Sequence, residues 1–218
     1  MQDVKTDGQM PRLKVCGVND VEFARAADAA GADYLGFIFE VSSPRCVTEH
    51  QAAEIAGELS QRVRKVGVFV RQPVEEIVET MQLAGLDVVQ LHRVATEEEV
   101  AALWEAGFET WTLDGGADGD AVVIDSPRGG GSGTRSDWSR VEAAHERGVR
   151  AVLAGGLGTD NLAEAAATGA DVLDVNSSLE TAPGVKSIER LNELFARTRT
   201  RKKKHTTEYT ADSMSPRR

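Results

Sequence analysis

The chain has 218 residues, 41% of them hydrophobic and 28% charged, enough for one well-buried core that a minimal β/α barrel would use almost completely. Its net charge of −10 argues against a nucleic-acid-binding body, since that affinity rests on neutralising phosphates. Two cysteines, Cys16 and Cys46, do not make a disulfide framework and fit reduced thiols in a cytoplasmic protein.

Met1–Met10 carries Asp3, Lys5 and Asp7 without an apolar run, so residues 1–12 read as an extension, neither a secretory signal nor a membrane span. From residue 13 the chain alternates β-branched runs with helical patterns. The strands are expected at Leu13–Cys16, Tyr34–Phe39, Lys65–Val70, Val88–Leu91, Glu109–Leu113, Ala121–Asp125, Arg150–Leu153 and Asp171–Val175. Helix-period segments rich in Ala, Glu and Leu lie at 20–30, 48–60, 73–84, 96–106, 137–146, 160–168 and 187–197. Asn19, Thr48, Pro73, Thr96 and Asp137 are placed to open helices. Gly31, Gly85, Gly107, Gly148 and Gly169 sit where a left-handed residue ends them.

Strict alternation of strand and helix predicts a parallel sheet with helices outside. Eight such units favour closure into a (β/α)8 TIM barrel over an open sheet. The open sheet would carry Gly-x-Gly-x-x-Gly after its first strand, where this chain has Cys16-Gly-Val-Asn19. Only Asp114–Asp120 joins strands five and six, too short for a crossover helix, so the fifth helix is expected to be a loop. Residues 13–197 are thus one barrel domain. Residues 198–218 form a basic tail of charge +5, leaving −15 on the rest. The tail offers little to bury and reads as solvated and disordered.

In such a barrel the carboxyl ends of the strands converge, and chemistry happens there. Those ends hold Cys16, a candidate base or nucleophile; Asp125, a loop cap or a poised acid; and His92, which orients substrate, bonds its loop or sits in the rim. Partial burial raises a carboxyl pKa, so a carboxyl such as Asp125 can donate a proton near neutral pH. Arg45 in Ser42-Ser-Pro-Arg45 is either a clamp for a substrate carboxylate or an ordinary surface arginine. Leu153-Ala-Gly-Gly-Leu157 after strand seven and Asn176-Ser-Ser-Leu179 after strand eight can surround a phosphate with backbone amides and hydroxyls. Gly155, Gly156, Ser177 and Ser178 are the candidate donors. Arg128-Gly-Gly-Gly-Ser-Gly133 reads as a covering loop, and Gly131 is assigned to the substrate. Scattered His and Cys make no metal-ligand spacing, and no metal is expected.

Together these residues carry a resemblance. Lys14-Val-Cys-Gly-Val18, Gly31-Ala-Asp-Tyr-Leu-Gly-Phe-Ile-Phe39, Ser43-Pro-Arg45, Val66-Gly-Val-Phe-Val70, Val89-Gln-Leu-His92, Gly130-Gly-Ser-Gly133 with Asp137-Trp138, Ala154-Gly-Gly-Leu157, Asp174-Val175 and Pro183-Gly-Val-Lys186 follow the order of the phosphoribosylanthranilate isomerase family. The resemblance implies conversion of N-(5-phosphoribosyl)anthranilate to 1-(2-carboxyphenylamino)-1-deoxyribulose 5-phosphate in tryptophan biosynthesis. It implies Asp125 as general acid and Cys16 as general base, Arg45 on the anthranilate carboxylate, the amides at Gly156 and Ser177 on the phosphate, Asp174 among the substrate-binding residues, and no cofactor. The implied partner is a small phosphorylated molecule, with neither nucleic acid nor membrane, in a monomer, a dimer being left open.

The chain departs from the family at Arg93, Asn176 and Ser178, at Ser136 before Asp137-Trp138, and at Ser187 after Lys186. Where the family has glycine, Ser178 adds a Cβ and a hydroxyl. Crowding is expected to outweigh the new donor if that position needs a positive φ. Two rival readings stand beside the isomerase. A barrel isomerase shared by the histidine and tryptophan pathways carries aspartate where Cys16 stands, and a diverged phosphosugar-binding barrel would have lost its acid or base first.

Overall fold

The alternation of side chains along each strand builds the architecture. In β1 (Arg12–Cys16), Leu13 and Val15 join a large apolar shell, while Cys16 belongs to a second, inner cluster. The same split recurs in β2 (Tyr34–Ile38), β3 (Arg64–Phe69), β4 (Val88–Leu91), β6 (Ala121–Ile124), β7 (Arg150–Leu153) and β8 (Val172–Val175), while β5 (Glu109–Leu113) turns Trp111 inward between the buried Thr110 and Thr112. A parity of two separates the interior of a barrel from its outer wall. The computed structural model describes residues 10–125 and 137–198, and within them these strands close in chain order, β1 pairing in parallel with both β2 and β8.

Inside, Val66, Val88, Val123, Val152 and Val172 fill the barrel. The rings of Tyr34 and Trp111 meet edge to face at 4.9 Å. Outside, Leu35, Leu91, Leu153 and Leu173 pack against helical residues such as Ile77, Met81, Leu103 and Leu191, all fully buried. Each such aliphatic side chain contributes about 1.5–3 kcal/mol when taken from water. The helices are α1 (Val21–Ala30), α2 (Glu49–Gly57), α3 (Val74–Ala84), α4 (Glu97–Glu105), α5 (Arg140–Glu146) and α6 (Leu162–Ala166), followed by α7, helical over 188–198. α5 and α6 are shorter than their sequence patterns suggest.

Local chemistry sets the helix ends. Thr48 and Thr96 each form a capping box, with Gln51 and Glu99 respectively. Pro73 stands at the N-cap of α3. Two expected starts are corrected. Asp20, not Asn19, caps α1 by accepting the Phe23 amide at 2.8 Å, because an ionised carboxylate is the stronger acceptor at a positive helix end. Asn19 instead reaches the Gly184 carbonyl at 3.1 Å. α5 starts after Ser139 rather than at Asp137, whose carboxylate folds back onto the Ser139 amide and hydroxyl. The five helix-end glycines all have φ between 62° and 107°, as a left-handed C-terminus requires.

No helix joins β5 to β6, as the short Asp114–Asp120 connection led us to expect. The chain turns tightly instead: the Asp120 amide bonds the Thr110 carbonyl at 2.7 Å, and Asp120 accepts from the Thr110 amide at 2.8 Å. Gly119 is required here, since a Cβ would lie 2.3 Å from the Thr110 carbonyl oxygen. A small hairpin that the sequence pattern did not reveal, β9 (Glu180–Ala182) with β10 (Val185–Lys186), follows β8.

Candidate active site at the carboxyl ends of the strands

Barrel closure places β8 beside β1, and their register makes Lys14 and Asp174 direct partners. Both face inward. Lys14 is wholly buried, and its Nζ donates to Asp174 Oδ2 at 2.6 Å. Two residues further along the same face comes the buried Cys16, within reach of Lys14 Nζ. Gly36 on β2, the cross-strand partner of Cys16, makes room for this pair. A Cβ there would lie 2.8 Å from Cys16 Sγ and 3.2 Å from Lys14 Nζ.

Burial pushes the Cys16 thiol above its ordinary range, Lys14 and Lys186 pull it down, and Asp174 pushes it up. Against the burial that lowers it, Asp174 and Cys16 carry the Lys14 ammonium above its ordinary range. Burial raises the Asp174 carboxyl, Lys14 opposes this, and Asp125 adds to it from across the barrel. Asp125 follows β6, its side chain only 5% exposed, with His92 Nε2 at 3.3 Å from its Oδ2. Cys16, Asp174, Asp125 and His92 therefore lie together at one mouth.

Arg45 is not the surface arginine that was one of its two readings. It is nine-tenths buried and forked onto Glu180, Nε to Oε1 and Nη2 to Oε2, both at 2.7 Å. A guanidinium has five N–H groups, so this pairing leaves donors for a second carboxylate. Lys186, on β10, joins the cluster through Glu180 at 2.9 Å and the Asn176 side chain at 2.8 Å. Burial pulls the Lys186 ammonium down.

The glycine loops lie beside this cluster. Gly155 and Gly156 have φ of 84° and 65°, and Asn161 ties the loop by bonding the Gly156 carbonyl and the Gly158 amide, each at 2.9 Å. Ser177–Leu179 form a single 3-10 turn. Its residues have negative φ, so position 178 does not need the left-handed conformation. The Ser178 hydroxyl donates to the Leu157 carbonyl at 2.7 Å. A cavity of about 350 Å³ opens here, lined among others by Gly156, Gly158, Thr159, Asn161, Ser178 and Arg190. Gly131 and its loop lie outside the described residues, and so does the 199–218 part of the basic tail.

The sequence reading gave no role to Lys14, Glu180, Lys186, Asn161 and Arg190. For Lys14 a signal existed: a lysine inside an apolar strand, two residues before the cysteine, must share its inward face. Glu180 and Lys186 become visible only through the hairpin. Arg93, one of the departures named from sequence, turns onto Glu99 of α4 with contacts of 2.7 and 2.6 Å.

A closed β/α barrel that gathers charged groups and glycine loops at the carboxyl ends of its strands is a barrel enzyme. The profile of the N-(5'-phosphoribosyl)anthranilate (PRA) isomerase family matches residues 13–197, and the chain belongs to that family. The N-(5'-phosphoribosyl)anthranilate isomerase of Rubrobacter xylanophilus is 40% identical over 198 residues, covering 83% of this chain and 95% of that one. The crystal structure of phosphoribosyl anthranilate isomerase from Thermus thermophilus superposes with a TM-score of 0.80 at 35% identity, covering 87% of this chain and 98% of that one. A further phosphoribosyl anthranilate isomerase structure, with a TM-score of 0.74 and 26% identity, covers 88% of this chain and is fully covered itself. That structure holds reduced 1-(o-carboxyphenylamino)-1-deoxyribulose 5-phosphate.

Proposed function

We propose that Asp125 and Cys16 are the acid and base with which this isomerase rearranges N-(5'-phosphoribosyl)anthranilate in tryptophan biosynthesis. Asp125 protonates the ribose ring oxygen. The C1–O bond breaks as the anilinic nitrogen donates its lone pair, leaving a Schiff base. Cys16 then takes the proton from C2. The C2–H electron pair forms a C1=C2 double bond, the imine electrons return to nitrogen, and the enolamine tautomerises to the ketose as C1 gains a proton and the C2 hydroxyl loses one, which restores the proton count of Asp125 and Cys16. Hydrogen and electrons move within the substrate, so the reaction balances without a cofactor. The observation that carries this reading is the convergence of Cys16 and Asp125 on one mouth through the buried Lys14–Asp174 pair.

The remaining assignments follow the geometry. Arg45, steadied by Glu180, takes the anthranilate carboxylate on its unused N–H groups. Phosphate enters the cavity between the loops after β7 and β8, which Gly156 and Arg190 line, and takes donors from the Gly156 amide, the Arg190 guanidinium and the Ser177 amide of the adjoining turn. His92 holds the Asp125 carboxyl, and Asp174 faces the ribose. Substrate and product are soluble phosphorylated molecules, so we read the protein as cytoplasmic. All the assigned groups come from one chain, so we read a monomer as sufficient.

The test is turnover of Cys16→Ala and Asp125→Asn, followed by loss of N-(5'-phosphoribosyl)anthranilate fluorescence. Each variant is expected to lose roughly 10²–10⁴-fold in kcat, the usual contribution of a proton-transfer group, while still binding the reduced product analogue. A variant with near-wild-type kcat removes that residue from the mechanism.

A further inference from the structure

A buried thiol makes a poor base unless something holds its anion. Burial disfavours thiolate more than thiol, and water is not there to help. Among the described residues, three cationic side chains approach Cys16, namely Lys14 from β1, Lys186 from β10 and Arg45 from the loop after β2. Among the same residues its anionic neighbour is Asp174 from β8, which in turn faces Asp125 and His92 from the loops after β6 and β4. Of the three cations, two are committed elsewhere. Arg45 is forked onto Glu180. Lys186 divides its ammonium among Glu180 at 2.9 Å and the two oxygens of Asn176 at 2.8 and 3.2 Å.

Lys14 is differently placed. One N–H goes to Asp174 Oδ2 at 2.6 Å, and an ammonium has three. It sits below Cys16 on the same face of the same strand, fully buried. The missing side chain at Gly36 keeps Sγ and Nζ in a common space, each within 3.2 Å of where that Cβ would be. Among the described residues Asp174 Oδ1 has no hydrogen-bond partner, so within them the carboxylate grips the ammonium with one oxygen only.

We propose that Lys14 is the positioning residue of the proton-transfer step: anchored by Asp174 under the floor of the mouth, its ammonium is the fixed counter-charge that lets Cys16 work as a thiolate. When the base takes the C2 proton, the negative charge leaves sulfur for the substrate. Lys14 stays charged throughout and does not touch the substrate. The inference rests on the assignment of Cys16 as base, but its test does not.

The test is the ionisation of Cys16 itself, read as the pH dependence of iodoacetamide alkylation in full-length protein carrying Cys46→Ser. Lys14→Met, which keeps length and removes charge, is expected to move the Cys16 titration to higher pH by about 1–3 units, the effect of losing an opposite charge at close range. One limb of the kcat/KM profile moves with it. Asp174→Asn, which removes the opposing anion, is expected to move the titration the other way. In wild-type protein labelled with ¹⁵N-lysine, the Lys14 Nζ signal must remain that of an ammonium across the whole pH range in which Cys16 titrates. An unshifted Cys16 titration in folded Lys14→Met, or a neutral Lys14 amine in that range, overturns the proposal, and the wild-type measurement stands even if a variant fails to fold. Should Cys16→Ala keep its turnover, the base assignment falls while the alkylation result still decides whether Lys14 sets the thiol.

Discussion

The two ends of this barrel use the same ingredients, arginine and lysine set against carboxylates, to opposite effect. At the amino ends of the strands, Glu109 on β5 receives Trp111 Nε1 and Arg150 Nη2, each at 2.7 Å, and is also paired with Arg64. Arg12 of β1 adds a 2.9 Å bond to the Tyr34 hydroxyl. These three donors outweigh burial and hold the Glu109 carboxyl below its ordinary range. At the carboxyl ends, charges are left in tension. Burial raises both Cys16 and Asp174, Asp174 faces another carboxylate, and one of its oxygens has no partner among the described residues. A satisfied network adds stability, whereas an under-satisfied one is kept where a reaction needs it. The bottom is a plug and the top is a reagent.

That contrast can be broken by one pair of variants. Cys16→Ala should lose the orders of magnitude in kcat given above and leave the melting temperature nearly unchanged, because it only trims one small side chain. Glu109→Gln should do the reverse. Replacing a carboxylate that holds two arginines and an indole is expected to cost about 1–3 kcal/mol, or roughly 2–12 °C in Tm for a chain of this size, with kcat and KM kept at 25 °C. The pH dependence sharpens it. A carboxyl held below its ordinary range contributes stability above the unfolded carboxyl range, and that contribution is lost as pH falls through the folded value. The difference in stability between wild type and Glu109→Gln should therefore shrink in acid. If Glu109→Gln kept its Tm and lost activity, the division between the two ends would fail.

How far each end could be read from the sequence follows from how local its signals are. Strand and helix periods are local, so all eight strands and the missing fifth helix were legible from alternation and loop length. Cys16 and Asp125 were legible as strand ends. The Lys14–Asp174 pair was not singled out, because its partners are 160 residues apart and only barrel closure makes β1 and β8 neighbours. Glu180 and Lys186 were hidden for a different reason: strands as short as β9 and β10 carry too few residues for a period. The choice of Asp20 over Asn19 as a cap was a matter of one residue, which composition does not resolve.

Ser178 makes the smallest and most specific prediction, and the structure changes its sign. From sequence, a serine in place of a family glycine was expected to crowd the phosphate wherever a positive φ is required, so that Ser178→Gly would lower KM. The 3-10 turn removes that condition. The added Cβ also has a place, because the facing residue is Gly158, whose own Cβ would lie 2.9 Å from that of Ser178. What the serine adds is the bond to the Leu157 carbonyl that ties the loop after β8 to the loop after β7, both of which border the cavity assigned to phosphate. Removing a neutral hydrogen bond costs about 0.5–1.5 kcal/mol, and the glycine also gains backbone freedom that binding must then remove. Ser178→Gly should therefore raise KM by roughly two- to tenfold with kcat unchanged, the pattern of lost uniform binding. Ser178→Ala should give a smaller rise, since it loses the hydroxyl but not the backbone restraint. A fall in KM for either variant would mean that the serine obstructs the substrate and that the tie between the two loops does not contribute to binding.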